Sequence, residues 1–216
     1  MTKIRKHTSY GLKKVTNPKT LVVLLHGYGS NADDLISLAP DLDPYLEDAI
    51  FISPNAPFEF EGSMFGGYQW YSLMDRSTEA MLDGYKKAKP ILNEFLLMQL
   101  AQYNLKFSDL VLCGFSQGGM MSLHYALECP NELKGVMSFS GYLLGYEGFD
   151  KSIASKPKTL ITHGDMDVVV PYEAFEYTEN KLKNIGADLS SYTAHGLGHG
   201  IDYGCLSAAQ RFLKNL

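Results

Sequence analysis

Cysteine is scarce: Cys113, Cys129 and Cys205 are an odd three in 216 residues, too widely spaced for a disulfide framework or a zinc module. Reduced thiols are expected. A cationic excess is also missing. Nineteen Lys and Arg stand against 24 Asp and Glu, a net charge of −5, so there is no footprint for a phosphate backbone and no nucleic-acid partner is expected. No run approaches the ~20 apolar residues of a membrane span, and the basic start at 1–11 lacks an apolar segment behind it. A cytoplasmic protein is expected. Internal repeats, low-complexity tracts and composition breaks are absent too, which leaves 1–216 as one expected domain.

What is present is an alternation. Short apolar, β-branched runs at 21–25, 49–52, 110–113, 136–139 and 160–162 read as strands buried on both faces. Between them lie helical patterns: Leu82, Tyr85, Leu92, Phe95 and Leu96 at near-helical spacing, then 120–127, 172–185 and 205–213, with Gly186 as a C-terminal cap. Pro90 is expected to kink or split the first of these. The pattern predicts an α/β fold with a mostly parallel sheet, whose sites lie at the carboxyl ends of strands.

One segment fits no period. Residues 56–74 interleave Phe58, Phe60, Phe65, Tyr68, Trp70 and Tyr71 with Gly62, Gly66 and Gly67. Two readings stand side by side: an apolar flap over a binding site, or an irregular excursion that packs its aromatics on the core.

The chemistry-bearing residues fall where strands end. After the run at 110–113 comes Gly114-Phe115-Ser116-Gln117-Gly118-Gly119 and then an apolar helix. This is G-x-S-x-G between strand and helix. A nucleophilic serine needs a sharp turn to expose its hydroxyl, and small residues two before and two after let helix and strand approach. The helix start adds partial positive charge and the free N–H of Gln117. A serine is a weak nucleophile without a base and an orienting acid. Both follow, in His163-Gly164-Asp165-Met166-Asp167 and in His195-Gly196-Leu197-Gly198-His199-Gly200. Ser, Asp, His is the chain order of an α/β-hydrolase. His199 is preferred over His195 because Gly198 and Gly200 flank it. Asp167 is preferred over Asp165, which follows Gly164 and reads as a turn former.

The first predicted strand ends in His26-Gly27-Tyr28-Gly29-Ser30-Asn31, where a hydrolase puts a second oxyanion donor. Residues 27–32 also fit a G-x-G-x-x-A dinucleotide pattern, but Asp33 and Asp34 open the next helix and would repel a pyrophosphate. His26 reads as a structural hydrogen-bonding residue. Six histidines without an H-E-x-x-H or H-x-H pairing give no expected metal.

On these stretches, with Trp70-Tyr71-Ser72-Leu73, Ser140-Gly141-Tyr142-Leu143 and Val169-Val170-Pro171, the chain resembles the phospholipase/carboxylesterase family of α/β-hydrolases. The resemblance implies Ser116 as nucleophile, Asp167 as acid and His199 as base, with oxyanion donors at the N–H groups of Tyr28 and Gln117. It also implies acyl contacts around Trp70. Phe65, Trp70, Leu73, Leu143 and Leu144 are the expected acyl-site residues. Many relatives carry Trp-Phe-Asp where this chain has Trp70-Tyr71-Ser72, and the added hydroxyls are expected to make the pocket wall more polar. The expected activity is cleavage of an acyl ester, thioester or lysophospholipid without a cofactor, with transient contact to a lipid surface. The rival from another class is a ligand receptor that kept the fold and lost turnover.

Overall fold

The computed structural model describes residues 2–12, 15–62 and 66–216. The runs legible in the sequence form the inner strands β2 (Thr20–Leu25), β3 (Ala49–Pro54), β6 (Leu110–Phe115), β7 (Gly135–Phe139) and β8 (Thr159–Gly164), flanked by β1 (His7–Tyr10) and β9 (Leu189–Ala194). Their order is β1-β3-β2-β6-β7-β8-β9. Every pairing is parallel except that of β1 with β3. A short antiparallel pair, β4 (Phe58–Glu59) and β5 (Tyr68–Gln69), lies apart from the sheet.

Alternation along each strand divides the core in two. Leu21, Val23, Leu25, Ile50, Ile52, Leu110 and Leu112 face helices α3 (Thr78–Gln102), α4 (Gln117–Glu128) and α6 (Tyr172–Asn184). Val22, Leu24, Phe51, Val111, Cys113, Met137 and Phe139 face the shorter helices α1 (Ala32–Leu35) and α2 (Ala39–Leu42) and the last helix, α7 (Tyr203–Lys214). Both faces are covered, which is why the inner strands are continuously apolar. A further short helix, α5 (Phe149–Ser152), follows β7.

Pro90 does not split its helix. α3 runs 25 residues with Pro90 on its exposed side, and burial of Met81, Tyr85, Ala88, Leu92, Phe95, Leu96 and Leu100 outweighs the one hydrogen bond a proline cannot donate. Gly186 does close α6, with φ +71° and its N–H on the Lys183 carbonyl. The fold sets the site through β2, which has β3 on one side and β6 on the other. Chain direction across the sheet reverses there, and the loops leaving β2 and β6 open a crevice.

Candidate active site

Ser116 stands between β6 and α4 with φ +52° and ψ −118°, a backbone that costs a non-glycine residue about 1–3 kcal/mol. Two features hold it there. Its N–H donates to the Phe139 carbonyl at 2.8 Å, and its own carbonyl accepts from Met120 at 3.0 Å. The glycines two before and two after are required for contact: a β-carbon on Gly114 would run into the Gly118 backbone, and one on Gly118 into the carbonyl of Leu25. α4, β6 and the end of β2 therefore meet backbone to backbone.

Asp167 and His199 come together from the loops after β8 and β9. His199 Nδ1 lies 2.7 Å from Asp167 Oδ2, which fixes Nδ1 as the protonated nitrogen and leaves Nε2 as acceptor. Asp167 Oδ1 accepts from the N–H groups of Val169 and Val170 at 2.8 and 2.9 Å. His163 Nε2 is 3.3 Å from Oδ2 and 2.9 Å from the Val170 carbonyl, so it too carries its hydrogen. Three hydrogen bonds thus hold a buried carboxylate, with the His163 ring close beside it. Burial lowers the pKa of His163 and keeps it neutral, a donor rather than a second charge. The Phe115 ring packs on the His199 imidazole with centroids 4.9 Å apart.

The glycines beside His199 are not what places it. Neither Gly198 nor Gly200 has positive φ, and a β-carbon on either would meet nothing nearer than 3.9 Å. Gly164 is the glycine that matters, because a β-carbon there would strike the carbonyls of Leu197 and Gly198 and force the two loops apart. The alternative residues pair with each other: His195 Nδ1 is 2.8 Å from Asp165 Oδ2, at the surface.

Ser116 and His199 share a groove of about 350 Å³ with Gly27, Tyr28, Gln117 and apolar walls from Leu73, Met81, Phe115, Met120 and Val170. Gln117 heads α4, so its N–H has no partner within the helix. The N–H of Tyr28 has no backbone partner among the described residues. The two candidate donors therefore border Ser116.

Of the expected acyl-site residues that are described, only Leu73 lines this groove. Trp70 is fully buried in the core, where its indole N–H donates to the His26 carbonyl at 3.0 Å. Leu143 and Leu144 are also buried, their N–H groups held by Thr178 Oγ1 and His124 Nε2. Phe65 lies outside the described residues. The hydroxyls of Tyr71 and Ser72 do not make the groove more polar: one is buried against Met120 Sδ, and the other donates to Glu61. In the 56–74 segment the stretch from Gln69 to Tyr71 therefore follows the core reading.

Several positioning residues escape sequence reasoning. The Gln117 side chain accepts from Trp70 N–H at 3.0 Å and donates to the Tyr71 carbonyl at 2.8 Å, clamping that loop to α4. His26 Nδ1 donates to the Gly27 carbonyl and Nε2 accepts from Ala56 N–H. Burial lowers its pKa, so it is a neutral structural residue, as expected from its place at the strand end. Glu61 accepts from the Tyr28 hydroxyl, Ser72 Oγ and Leu73 N–H, tying the loop to the oxyanion segment. A lone glutamate in an aperiodic stretch carries no sequence signal for this. Among the described residues no group of three His, Cys, Asp or Glu side chains is placed to hold a metal ion, and no helix is long and apolar enough to cross a membrane.

The sequence pattern of the phospholipase/carboxylesterase family matches residues 12–216. Acyl-protein thioesterase 1 of Emericella nidulans is 29% identical over 227 residues, covering 95% of this chain and 92% of that protein. Acyl-protein thioesterase 1 homolog 1 of Dictyostelium discoideum is 27% identical, covering 88% of each. Among solved structures, esterase PE8 is 39% identical with a TM-score of 0.90 and coverage of 99% of both chains. The Bacillus cereus carboxylesterase, 19% identical with a TM-score of 0.77 over 97% of this chain and 93% of its own, shares the fold.

Proposed function

We propose, from the premise that this chain belongs to the phospholipase/carboxylesterase family, that it cleaves its substrates through an acyl-enzyme on Ser116. The chain is a hydrolase of carboxylic esters or thioesters with an α/β-hydrolase fold. The observation that carries the residue assignment is that Ser116, at the head of α4, shares one groove with a His199 whose far nitrogen is tied to Asp167 at 2.7 Å.

In this reading Ser116 Oγ attacks the carbonyl carbon while His199 Nε2 takes its proton. Asp167 holds the imidazole in the right tautomer and offsets the positive charge that develops on it. The carbonyl oxygen, now an oxyanion, accepts from the N–H groups of Tyr28 and Gln117, where losing one donor typically costs about 3 kcal/mol of barrier. The C–O or C–S bond then breaks and His199 returns the proton to the leaving alcohol or thiol. Water repeats the sequence and releases the acid. A groove of about 350 Å³ is at the small end of the ~300–1,000 Å³ typical of ligand sites, which supports short acyl groups over long lipid chains. Similarity to hydrolases over nearly the whole chain disfavours a receptor without turnover.

The test is a series of acyl esters and thioesters of increasing length, run with wild type and Ser116→Ala, together with fluorophosphonate labelling. Wild type turns over, the variant loses a factor of ~10⁴–10⁶, and the label sits on Ser116. Labelling at Ser140, or a burst of one equivalent without turnover, would overturn the assignment.

A further inference from the structure

The groove wall carries two charged side chains that ester hydrolysis does not need, Asp34 and Arg76, and only Arg76 is cationic. Arg76 lines the groove as an exposed residue, five positions after the core-anchored Tyr71 and just ahead of α3. Its backbone is held on both sides. Leu73 N–H donates to Glu61, Met74 N–H to Ser72 Oγ, and Ser77 N–H to Asp75 Oδ1, while Ser77 Oγ caps α3. The guanidinium itself makes no hydrogen bond or ion pair with any described residue.

Carboxylates are near, but each is engaged by another donor. Glu61 takes the Tyr28 hydroxyl, Ser72 and Leu73; Asp75 takes Ser77; and Asp34, the groove's own carboxylate, takes Ser30 Oγ at 2.5 Å. Arg76 also lies close enough to act on the hydroxyls of both Tyr28 and Tyr142, two residues of the groove wall. Burial and Glu61 push the Tyr28 phenol up to about 12, so it stays neutral and does not compete for the cation. An exposed guanidinium with five N–H donors therefore borders a groove whose walls are largely apolar apart from Ser30, Asp34 and the residues around Ser116, in a protein whose net charge of −5 would repel an anion.

Resting on the hydrolase reading above, we propose that Arg76 is a specificity-determining residue that selects esters or thioesters carrying a second, anionic oxygen group, a carboxylate or a phosphate, a few bonds from the scissile carbonyl. The acyl or alcohol part lies along Leu73, Met81 and Met120, and its anionic end accepts from the guanidinium. The bond cleaved, the proton path and the water consumed are those of the neutral ester, and the anionic group leaves unchanged on one product.

Three substrates of matched length separate the possibilities: 4-nitrophenyl hexanoate, which is neutral; 4-nitrophenyl hydrogen adipate, with a carboxylate on the acyl side; and hexanoyl glycerol 3-phosphate, with a phosphate on the alcohol side. Each is assayed with wild type, Arg76→Gln and Arg76→Lys. The expected result is that, for at least one anionic substrate, the ratio of its kcat/KM to that of the neutral ester falls about tenfold in Arg76→Gln, mainly through KM, and is partly retained in Arg76→Lys. Which anionic substrate responds identifies the group. Free adipate or glycerol 3-phosphate should also inhibit hydrolysis of the neutral ester by wild type more strongly than by Arg76→Gln, and 0.5 M salt should weaken that inhibition. Ratios within twofold of wild type for both anionic substrates would overturn the role of Arg76 while leaving the hydrolase reading intact. No turnover of any of the three by wild type would overturn both.

Discussion

Replacing Gly118 by alanine tests whether the contact between α4 and the end of β2 holds the site together. A β-carbon there would sit 2.5 Å from the Leu25 carbonyl carbon and 2.7 Å from the His26 carbonyl oxygen, and closer still to the Leu25 oxygen, where real β-carbons keep at least 3.0 Å. These are backbone atoms of a fully buried strand end, so no side chain can swing aside. α4 must retreat by at least about 1 Å, a distance set by the Leu25 oxygen. Overpacking of this kind costs about 1–3 kcal/mol, against which the better helix propensity of alanine returns up to about 1 kcal/mol. A net loss of about 2 kcal/mol corresponds to a fall in Tm of roughly 4–8 °C for a chain of this size. The catalytic effect should be larger in proportion. Gln117 N–H rides on α4 and Tyr28 N–H on the β2 loop, so the retreat pulls the two oxyanion donors apart, and a misplacement of about 1 Å can cost ~10²-fold. Thermal unfolding and steady-state hydrolysis of a short neutral ester give both numbers, with Gly198→Ala as the stability comparison because its β-carbon meets nothing nearer than 3.9 Å. We expect kcat to fall 10- to 100-fold with KM little changed. A Tm equal to or above wild type, with kcat within twofold, would refute the reasoning.

The paired loops make a ranking. His199→Ala and Asp167→Asn should lower kcat at least ~10³-fold, whereas His195→Ala and Asp165→Asn, which break a surface pair, should change it less than about threefold; inactivation by His195→Ala would reverse the assignment. Trp70→Ala should cost about 3–5 kcal/mol, read as a drop of more than 8 °C in Tm, and leave the ranking of acyl lengths unchanged; a stable variant with a shifted ranking would restore the flap reading. Acid stability should depend on Glu128. Its burial would raise its pKa, but His124, Lys89, Tyr85 and Tyr146 around it bring the carboxyl down to about 2. A depressed carboxylate stabilises the fold above its ordinary pKa, near 4.5, and that contribution, at most about 3 kcal/mol, disappears as pH falls toward 2. Urea unfolding at pH 7, 4 and 2.5 should therefore show a smaller acid loss in Glu128→Gln than in wild type, and parallel curves would refute it.

The sequence by itself determined the layers and the position of the tight turn at Ser116, because both depend on local patterns. Strands covered on both faces must be apolar throughout, and the tight turn at Ser116 needs small residues at 114 and 118 whatever surrounds it. The strands β2, β3, β6, β7 and β8 and the order Ser, Asp, His were legible for that reason. The edge strand β1 was not, since His7–Tyr10 alternates half-buried and exposed residues and exists only by pairing with β3 more than 40 positions away. The loops that carry Asp167 and His199 were legible too, although the glycines flanking His199 do not decide which residues of the two loops meet. Their placement depends on Gly164 letting two distant loops touch and on three donors converging on one carboxylate. Tertiary structure alone decided what the aromatic segment does. Trp70 and Tyr71 read equally well as flap or core, and hydrogen bonds to His26 and Gln117, 44 to 47 positions away in the chain, put them in the core while Leu73 and Arg76 reached the groove. Hydrophobicity says only that an aromatic ring seeks burial; which surface buries it depends on partners that the chain brings together when it folds.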